Sequence, residues 1–205
     1  MIALWTVATY LIASVPYSVL LGKWFFGVDI RDYGDGNPGA TNVYRASGSK
    51  LWLIVAVCLD GAKGLFPVGI AYWIVGIRDM GIVPIALAAI AGHAFSLFLG
   101  FNGGKAVAVT FGTWIGLTIF EMPIVMGLML VYWFRSLKES NWVVVMVMLY
   151  ALLYLLLTRP DNLPFLAIWL GNFAIVLFRH RQGLNRLPTI KRWLPFLPKE
   201  RTAAA

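Results

Sequence analysis

VAVTFGTWIGLTIFEMPIVMGLMLVYWF, residues 107–134, is an apolar run interrupted at Glu121, Met122 and Pro123. It reads in two ways, as one long kinked helix or as two short membrane spans joined by a tight turn. Charge arbitrates, because Lys and Arg in short loops mark the cytoplasmic side of a membrane protein. With the turn, one side of the chain collects Lys23, Arg31, Arg45, Lys50, Lys105, Arg135, Lys138 and the cations from Arg179 onward. The other side keeps only Arg78 and Arg159. A single helix would split the cations more evenly, so the turn is preferred.

The remaining spans follow from length. Of the 205 residues 60% are hydrophobic and 13% charged, and the mean hydropathy is +0.78. A helix needs roughly 17–25 apolar residues to cross a bilayer. Such runs lie at 2–22, 51–76, 81–99, 106–120, 122–135, 141–158 and 163–178, the fourth and fifth being short. None shows the alternation of a transmembrane strand. The expected fold is an all-α integral membrane protein. It is a seven-transmembrane-helix bundle with cytoplasmic polar loops, the N-terminus outside and the C-terminus cytoplasmic. Residues 1–205 form a single polytopic domain with a basic cytoplasmic tail from about 179. The first span is long and lacks a small-residue cleavage site, so it reads as an uncleaved helix.

The net charge of +8 is mainly a topology signal, with attraction to anionic membrane lipid beside it. Charge spread among membrane loops argues against nucleic-acid binding. Cys58, the lone cysteine, can form no internal disulfide and belongs to no metal-site spacing. Asp29, Asp32 and Asp35 share one loop without a familiar metal-ligand spacing. No metal site and no cofactor is expected.

Under this topology three polar clusters share one face. In residues 34–50, GDGNPGATNVYRASGSK, glycines permit unusual dihedrals, Asn37, Thr41 and Asn42 offer uncharged donors, and Arg45 can grip a phosphate with two prongs. In 92–110, Gly103-Gly104-Lys105 precedes a helical segment, where free N–H groups and a cation suit an anion. The spacing is not that of a nucleotide P-loop, and a tight turn with a snorkelling lysine fits the same residues. In 179–186, His180, Arg181 and Arg186 suit a second anion site, a proton transfer or a basic anchor patch. Asp60 and Lys63, at i and i+3 within span two, read as a mutually neutralising pair beneath these loops. His93 reads as a packing hydrogen-bonder. Phosphate-gripping groups without an evident protein base point to transfer chemistry dominated by positioning and charge stabilisation.

Three motifs carry a family resemblance: GNPGATNVYR (36–45), GHAFSLFLGFNGGKAVA (92–108) and HRQGLNRL (180–187), with LDGAKG (59–64) in span two. In this order the chain resembles the PlsY-type acyl-phosphate:glycerol-3-phosphate acyltransferases of bacterial membranes. The resemblance implies transfer of a fatty acyl group from acyl phosphate to the 1-hydroxyl of glycerol 3-phosphate, giving lysophosphatidic acid, in the bacterial inner membrane. The donor's own phosphate can serve as base. Carried onto this chain, Asn37, Thr41, Asn42, Arg45, Gly103, Gly104 and Lys105 bind phosphate. His180, Arg186 and Ser140 hold glycerol 3-phosphate, and Asp60, Lys63 and Asp35 are supporting residues. The reading is of a monomer whose partners are the two substrates and membrane lipids.

The chain departs from the family pattern at named positions. Asp35 stands where serine is usual, Asn102 for lysine, Ala106 for glycine and Gly183 for asparagine, and a later glutamate is missing from PTIKR (188–192). A carboxylate at 35 repels phosphate unless it is protonated, turned away or paired; Arg45 or Lys105 can pair with it, at the cost of gripping phosphate less well. Asn185, two residues past Gly183, is the expected substitute for the missing asparagine. Two alternatives stay open: a paralogue acylating another acceptor, and a non-catalytic membrane protein that binds lipid or acyl phosphate.

Overall fold

The computed structural model describes residues 1–191; Arg192, Pro195, Pro198, Lys199 and Arg201 of the basic tail lie outside the described residues. The fold is all-helical. Helices α1 (Ile2–Ser14) and α2 (Tyr17–Phe26) form one bent rod. The bend falls at Val15-Pro16, where Val15 is extended and Pro16 lacks the N–H that would continue the ladder. Then follow α3 (Ala40–Ser47), α4 (Lys50–Gly69), α5 (Ile82–Ala94), α6 (Val107–Thr118), α7 (Glu121–Ser136), α8 (Ser140–Thr158) and α9 (Leu163–His180). A π-helical turn, Ile70–Ile74, extends α4 past its internal Pro67.

Five of these rods are long and apolar enough to cross a membrane: Ile2–Phe26, Lys50–Ile74, Ile82–Leu99, Ser140–Thr158 and Leu163–Leu184. The chain is therefore a multi-pass integral membrane protein. The run at 107–134 divides into α6 and α7. Ile119, at φ 59° and ψ −101°, lies outside helical space and breaks it. Thr118 Oγ1 accepts the Met122 N–H at 3.2 Å and donates to the Trp114 carbonyl at 2.7 Å, holding the turn together. Glu121 and Pro123, expected as the break, instead open α7, where an acid and a proline suit the first turn. Tyr154 and Arg159 both donate to the Glu121 carboxylate, so the start of α7 meets the end of α8 and these two helices run antiparallel.

Helix α6 has only 12 residues, about 18 Å at 1.5 Å per residue. It is held by close backbone approach to α4. A Cβ on Gly112 would stand 1.8 Å from the Gly61 carbonyl, and one on Gly64 2.6 Å from the Thr113 amide nitrogen. Without a hydrophobic force between helices in lipid, small residues that admit close backbone packing are what bind them. Two apolar cores result. The larger, around Ile82, Ile85, Trp114, Met122, Phe165 and Ile168, centres on α5 to α9. The smaller, Val19, Leu21, Ile30, Val43 and Ala56, clamps the polar loop before α3 onto α2 and α4.

Candidate active site

The first loop turns at Gly34 and Gly36, whose φ values of 60° and 69° favour glycine. The Arg45 guanidinium lies directly over Gly34, where a Cβ would sit 1.7 Å from Nη1. Ahead of the turn, Asp29 is tied to Arg31 at 2.6 Å. The Arg31 hydrogen bond, the main cause, lowers its carboxyl to about 2.

Asp35 collects the donors. Its carboxylate accepts from Lys105 Nζ at 2.8 Å, Asn42 Nδ2 at 3.1 Å and the Asn37 N–H at 3.3 Å, with Arg45 Nη1 at 3.8 Å. Asn42 also donates to the Asn37 carbonyl and accepts from Arg45 at 2.9 Å, which locks both side chains to the loop. Partial burial opposes the charge on Asp35, but the Lys105 hydrogen bond and charge, then Asn37 and Asn42, outweigh it and hold the carboxyl below its ordinary value. The contact is therefore complete above the ordinary carboxylate range and is lost only as pH falls through that lowered value. At neutral pH an incoming anion, not a proton, must release Lys105. Two sequence segments 70 residues apart thus meet on one anionic group.

Gly103 and Gly104 serve differently from expectation. Their N–H groups donate to the Ala94 and His93 carbonyls at 3.1 and 3.0 Å, so they dock the loop on the end of α5 and are not open to an anion. Their role is room: a Cβ on Gly103 would meet the His93 carbonyl at 2.0 Å, and one on Gly104 the His93 ring at 2.2 Å. The open N–H groups belong to the first turns of α3 and α6, neither of which has a side-chain cap. Thr41, exposed, stands in that first turn of α3.

Ala106 caps α6 at φ 62° and ψ 12°. A left-handed alanine costs about 1 kcal/mol relative to glycine. Ala106→Gly is expected to stabilise the protein by about that much, a rise of a few degrees in melting temperature. A fall in melting temperature would show that α6 needs the methyl group more than the relaxed backbone.

Beneath the loops, Lys63 Nζ and Asp60 Oδ1 are 2.8 Å apart, Ser18 donates to Asp60 Oδ2 at 2.9 Å, and His93 Nδ1 lies 3.5 Å from Lys63. Lys63 also faces the Tyr17 ring at 5.0 Å. This cluster joins α2, α4 and α5. Lys63, His93, Pro38 and Gly104 line one small cavity between the two loops.

The third cluster closes the group. Arg179 donates to the Gly103 and Gly104 carbonyls, the latter at 3.1 Å, stapling the end of α9 to the Lys105 loop. His180 is 4% exposed and meets Asn141 of α8. Ser140 is the exposed first residue of α8. The Arg186 side chain is exposed; its backbone carbonyl accepts the Trp142 indole at 2.7 Å, and among the described residues no ion pair joins it to the Asp35 cluster. Asn185 is exposed too, and the residue standing against Gly183 is Asn141. Arg179 and Asn141 were not anticipated as site residues. Arg179 was legible only as one more basic-tail cation, and no spacing ties Asn141 to Gly183.

Fold and site together define a multi-pass membrane protein whose cationic, asparagine-rich loops converge on the Asp35 carboxylate. The sequence model of the glycerol-3-phosphate acyltransferase family matches residues 3–189. Glycerol-3-phosphate acyltransferase 1 of Thermotoga maritima is 38% identical over 190 residues, covering 86% of this chain and 93% of that protein. The glycerol-3-phosphate acyltransferase of Aquifex aeolicus is 35% identical over 185 residues, covering 88% and 92%. The crystal structure of PlsY (YgiH), an integral membrane glycerol 3-phosphate acyltransferase, in its glycerol 3-phosphate form, superposes with a TM-score of 0.79 at 32% identity over 90% of each chain. The chain belongs to the glycerol-3-phosphate acyltransferase family.

Proposed function

We propose that this chain transfers a fatty acyl group from acyl phosphate to the 1-hydroxyl of glycerol 3-phosphate in the bacterial inner membrane, giving lysophosphatidic acid. The observation that carries the reading is the convergence of Lys105, Asn42, Arg45 and the Asn37 amide on the Asp35 carboxylate. Donors that surround a carboxylate in this way suit a phosphate. The donor phosphate takes this place and displaces Asp35, which turns aside. Glycerol 3-phosphate lies between this clamp and the His180, Ser140 and Arg186 end.

The hydroxyl oxygen bonds to the acyl carbonyl carbon, the carbonyl carbon–oxygen bond to phosphate breaks, and the hydroxyl proton leaves with the phosphate. Lys105 and Arg45 stabilise the departing charge, and the protein need supply no base. With α6 and α7 as separate crossings the bundle has seven spans, its N-terminus outside and its site and C-terminus cytoplasmic.

The test is purified protein with palmitoyl phosphate and glycerol 3-phosphate, following lysophosphatidic acid and phosphate. Turnover that Arg45→Ala removes is expected. Folded wild-type protein without turnover would end this reading and favour another acceptor or a binding role.

A further inference from the structure

We infer that Arg179 is the positioning residue of the anion clamp: its guanidinium holds the Gly103 and Gly104 carbonyls so that Lys105, the next residue, reaches Asp35 from one fixed direction. This rests on the proposed reaction for what the clamp binds, but not for the order that Arg179 imposes on the loop.

The loop is tightly determined for a segment without regular structure. Phe101 and Ala106, at φ 63° and 62°, are left-handed and flank the stretch from Asn102 to Lys105. Residues with side chains rarely adopt that conformation, and it persists only where the surroundings over-determine it. One set of constraints comes from the end of α5 and the turn after it. The Phe101 N–H donates to the Ser96 carbonyl at 2.8 Å, the Gly103 N–H to the Ala94 carbonyl at 3.1 Å and the Gly104 N–H to the His93 carbonyl at 3.0 Å. The other set comes from the end of α9. Arg179 Nε donates to the Gly104 carbonyl at 3.1 Å, and Nη2 donates to the Gly103 carbonyl and to Asn102 Oδ1, the latter at 3.3 Å. Gly103 and Gly104 are thus gripped by their amides from one helix and by their carbonyls from another. Phe178, the residue before Arg179, packs on the Phe95 ring with centroids 5.8 Å apart, which seats the end of α9 on the same loop.

The Gly104 carbonyl and the Lys105 N–H belong to one planar peptide unit. Fixing that carbonyl fixes the direction in which the chain enters Lys105, whose Nζ lies 2.8 Å from Asp35 Oδ2. The N–H groups along the Nε–Nη2 edge of the guanidinium are all spent on the loop, so that edge offers nothing to a substrate anion. Arg179 therefore acts through Lys105. Two adjacent carbonyls and an amide oxygen suit a planar fork, which the point charge of a lysine ammonium does not reproduce. Asn102 fits the same arrangement: the lysine usual there in the family pattern could only donate, whereas the asparagine gives Arg179 an acceptor.

Hydrogen exchange on the purified full chain in detergent reads the loop without any substrate. Arg179→Met is expected to speed exchange over residues 95–106 at least about tenfold, with α4 and α8 unchanged. Arg179→Gln carries the same measurement if the methionine variant does not fold. In the transfer assay Arg179→Met is expected to lower kcat/KM for palmitoyl phosphate by about ten- to a hundredfold, with KM for glycerol 3-phosphate unchanged. In a Lys105→Ala background the same substitution is expected to cost less than about twofold more, because the residue it positions is gone. Arg179→Lys, which keeps the charge and loses the fork, is expected to recover little. Unchanged exchange over 95–106 in a folded variant would overturn the inference. Losses that multiply with those of Lys105→Ala, or full recovery by Arg179→Lys, would overturn it too. Wild-type protein without transfer would defeat the proposed reaction alone, and the exchange measurement would still decide whether Arg179 orders the loop.

Discussion

Asp35→Ser is expected to tighten binding of a phosphate-bearing ligand by about ten- to a hundredfold, and Lys105→Ala to lower kcat/KM by about a hundred- to a thousandfold. The two substitutions act on the same contact with opposite signs. In the resting protein Lys105 holds Asp35 at 2.8 Å, and Asn42 and the Asn37 amide complete the ring of donors. Under the proposed reaction an arriving phosphate must break that contact and then endure a carboxylate close by. The Asp35 and Lys105 side chains are 46% and 36% exposed, so water screens the pair and breaking it costs at most about 1 kcal/mol. Repulsion between the displaced carboxylate and the phosphate adds about 1–4 kcal/mol at contact distance. Serine removes both penalties and can donate to the phosphate. Under the proposed reaction alanine at 105 removes the cation that faces the departing charge, and losing one such donor typically costs about 2.7–4 kcal/mol in the transition state. Calorimetric titration with glycerol 3-phosphate and with inorganic phosphate, beside steady-state transfer, separates the effects. Unchanged or weaker phosphate binding by Asp35→Ser would show that Asp35 supports the ligand instead of competing with it.

The other large effect is expected beneath the site. Asp60→Ala should destabilise the protein by about 3–5 kcal/mol, because it strands the Lys63 ammonium, 3% exposed, inside a membrane helix. In a chain of this size that is a fall of about ten degrees in melting temperature. The double replacement Asp60→Leu with Lys63→Met should lie much nearer the wild type, since an apolar pair of similar volume removes both charges together. It should still lower transfer, because His93 then loses its polar neighbours while its carbonyl and ring carry Gly104. Melting and transfer measured on both variants separate a stabilising from a positioning role. A double variant as unstable as the single one would show that the pair itself stabilises the bundle.

Some helix ends were legible in the sequence, but the expected first span 2–22 breaks at Val15–Pro16 and continues to Phe26, and α3 was not expected. Apolar run length alone predicted α4, α8 and α9 closely, since a bilayer demands that length and nothing else does. The break between α6 and α7 was predicted at Glu121–Pro123 and falls at Ile119. A polar residue followed by proline looks like a stop, yet both suit the start of a helix, and the strained residue is an isoleucine that no propensity marks. The polar segments were legible because charged and amide side chains are costly in lipid surroundings.

The sequence by itself determined that this protein lives in a membrane and which segments carry its polar groups. It also marked Asp35 as a carboxylate that must be protonated, turned away or paired if phosphate binds beside it. Only the tertiary structure decided that Lys105 is the nearer of the two cations, that Gly103 and Gly104 spend their amides on α5, and that Asn141 fills the space left by Gly183. The division has one physical cause. Hydrophobic length is a property of consecutive residues, whereas a hydrogen bond across 39 or 70 residues depends on how helices cross. One such crossing is the close approach of α6 to α4 that Gly61 and Gly64 allow.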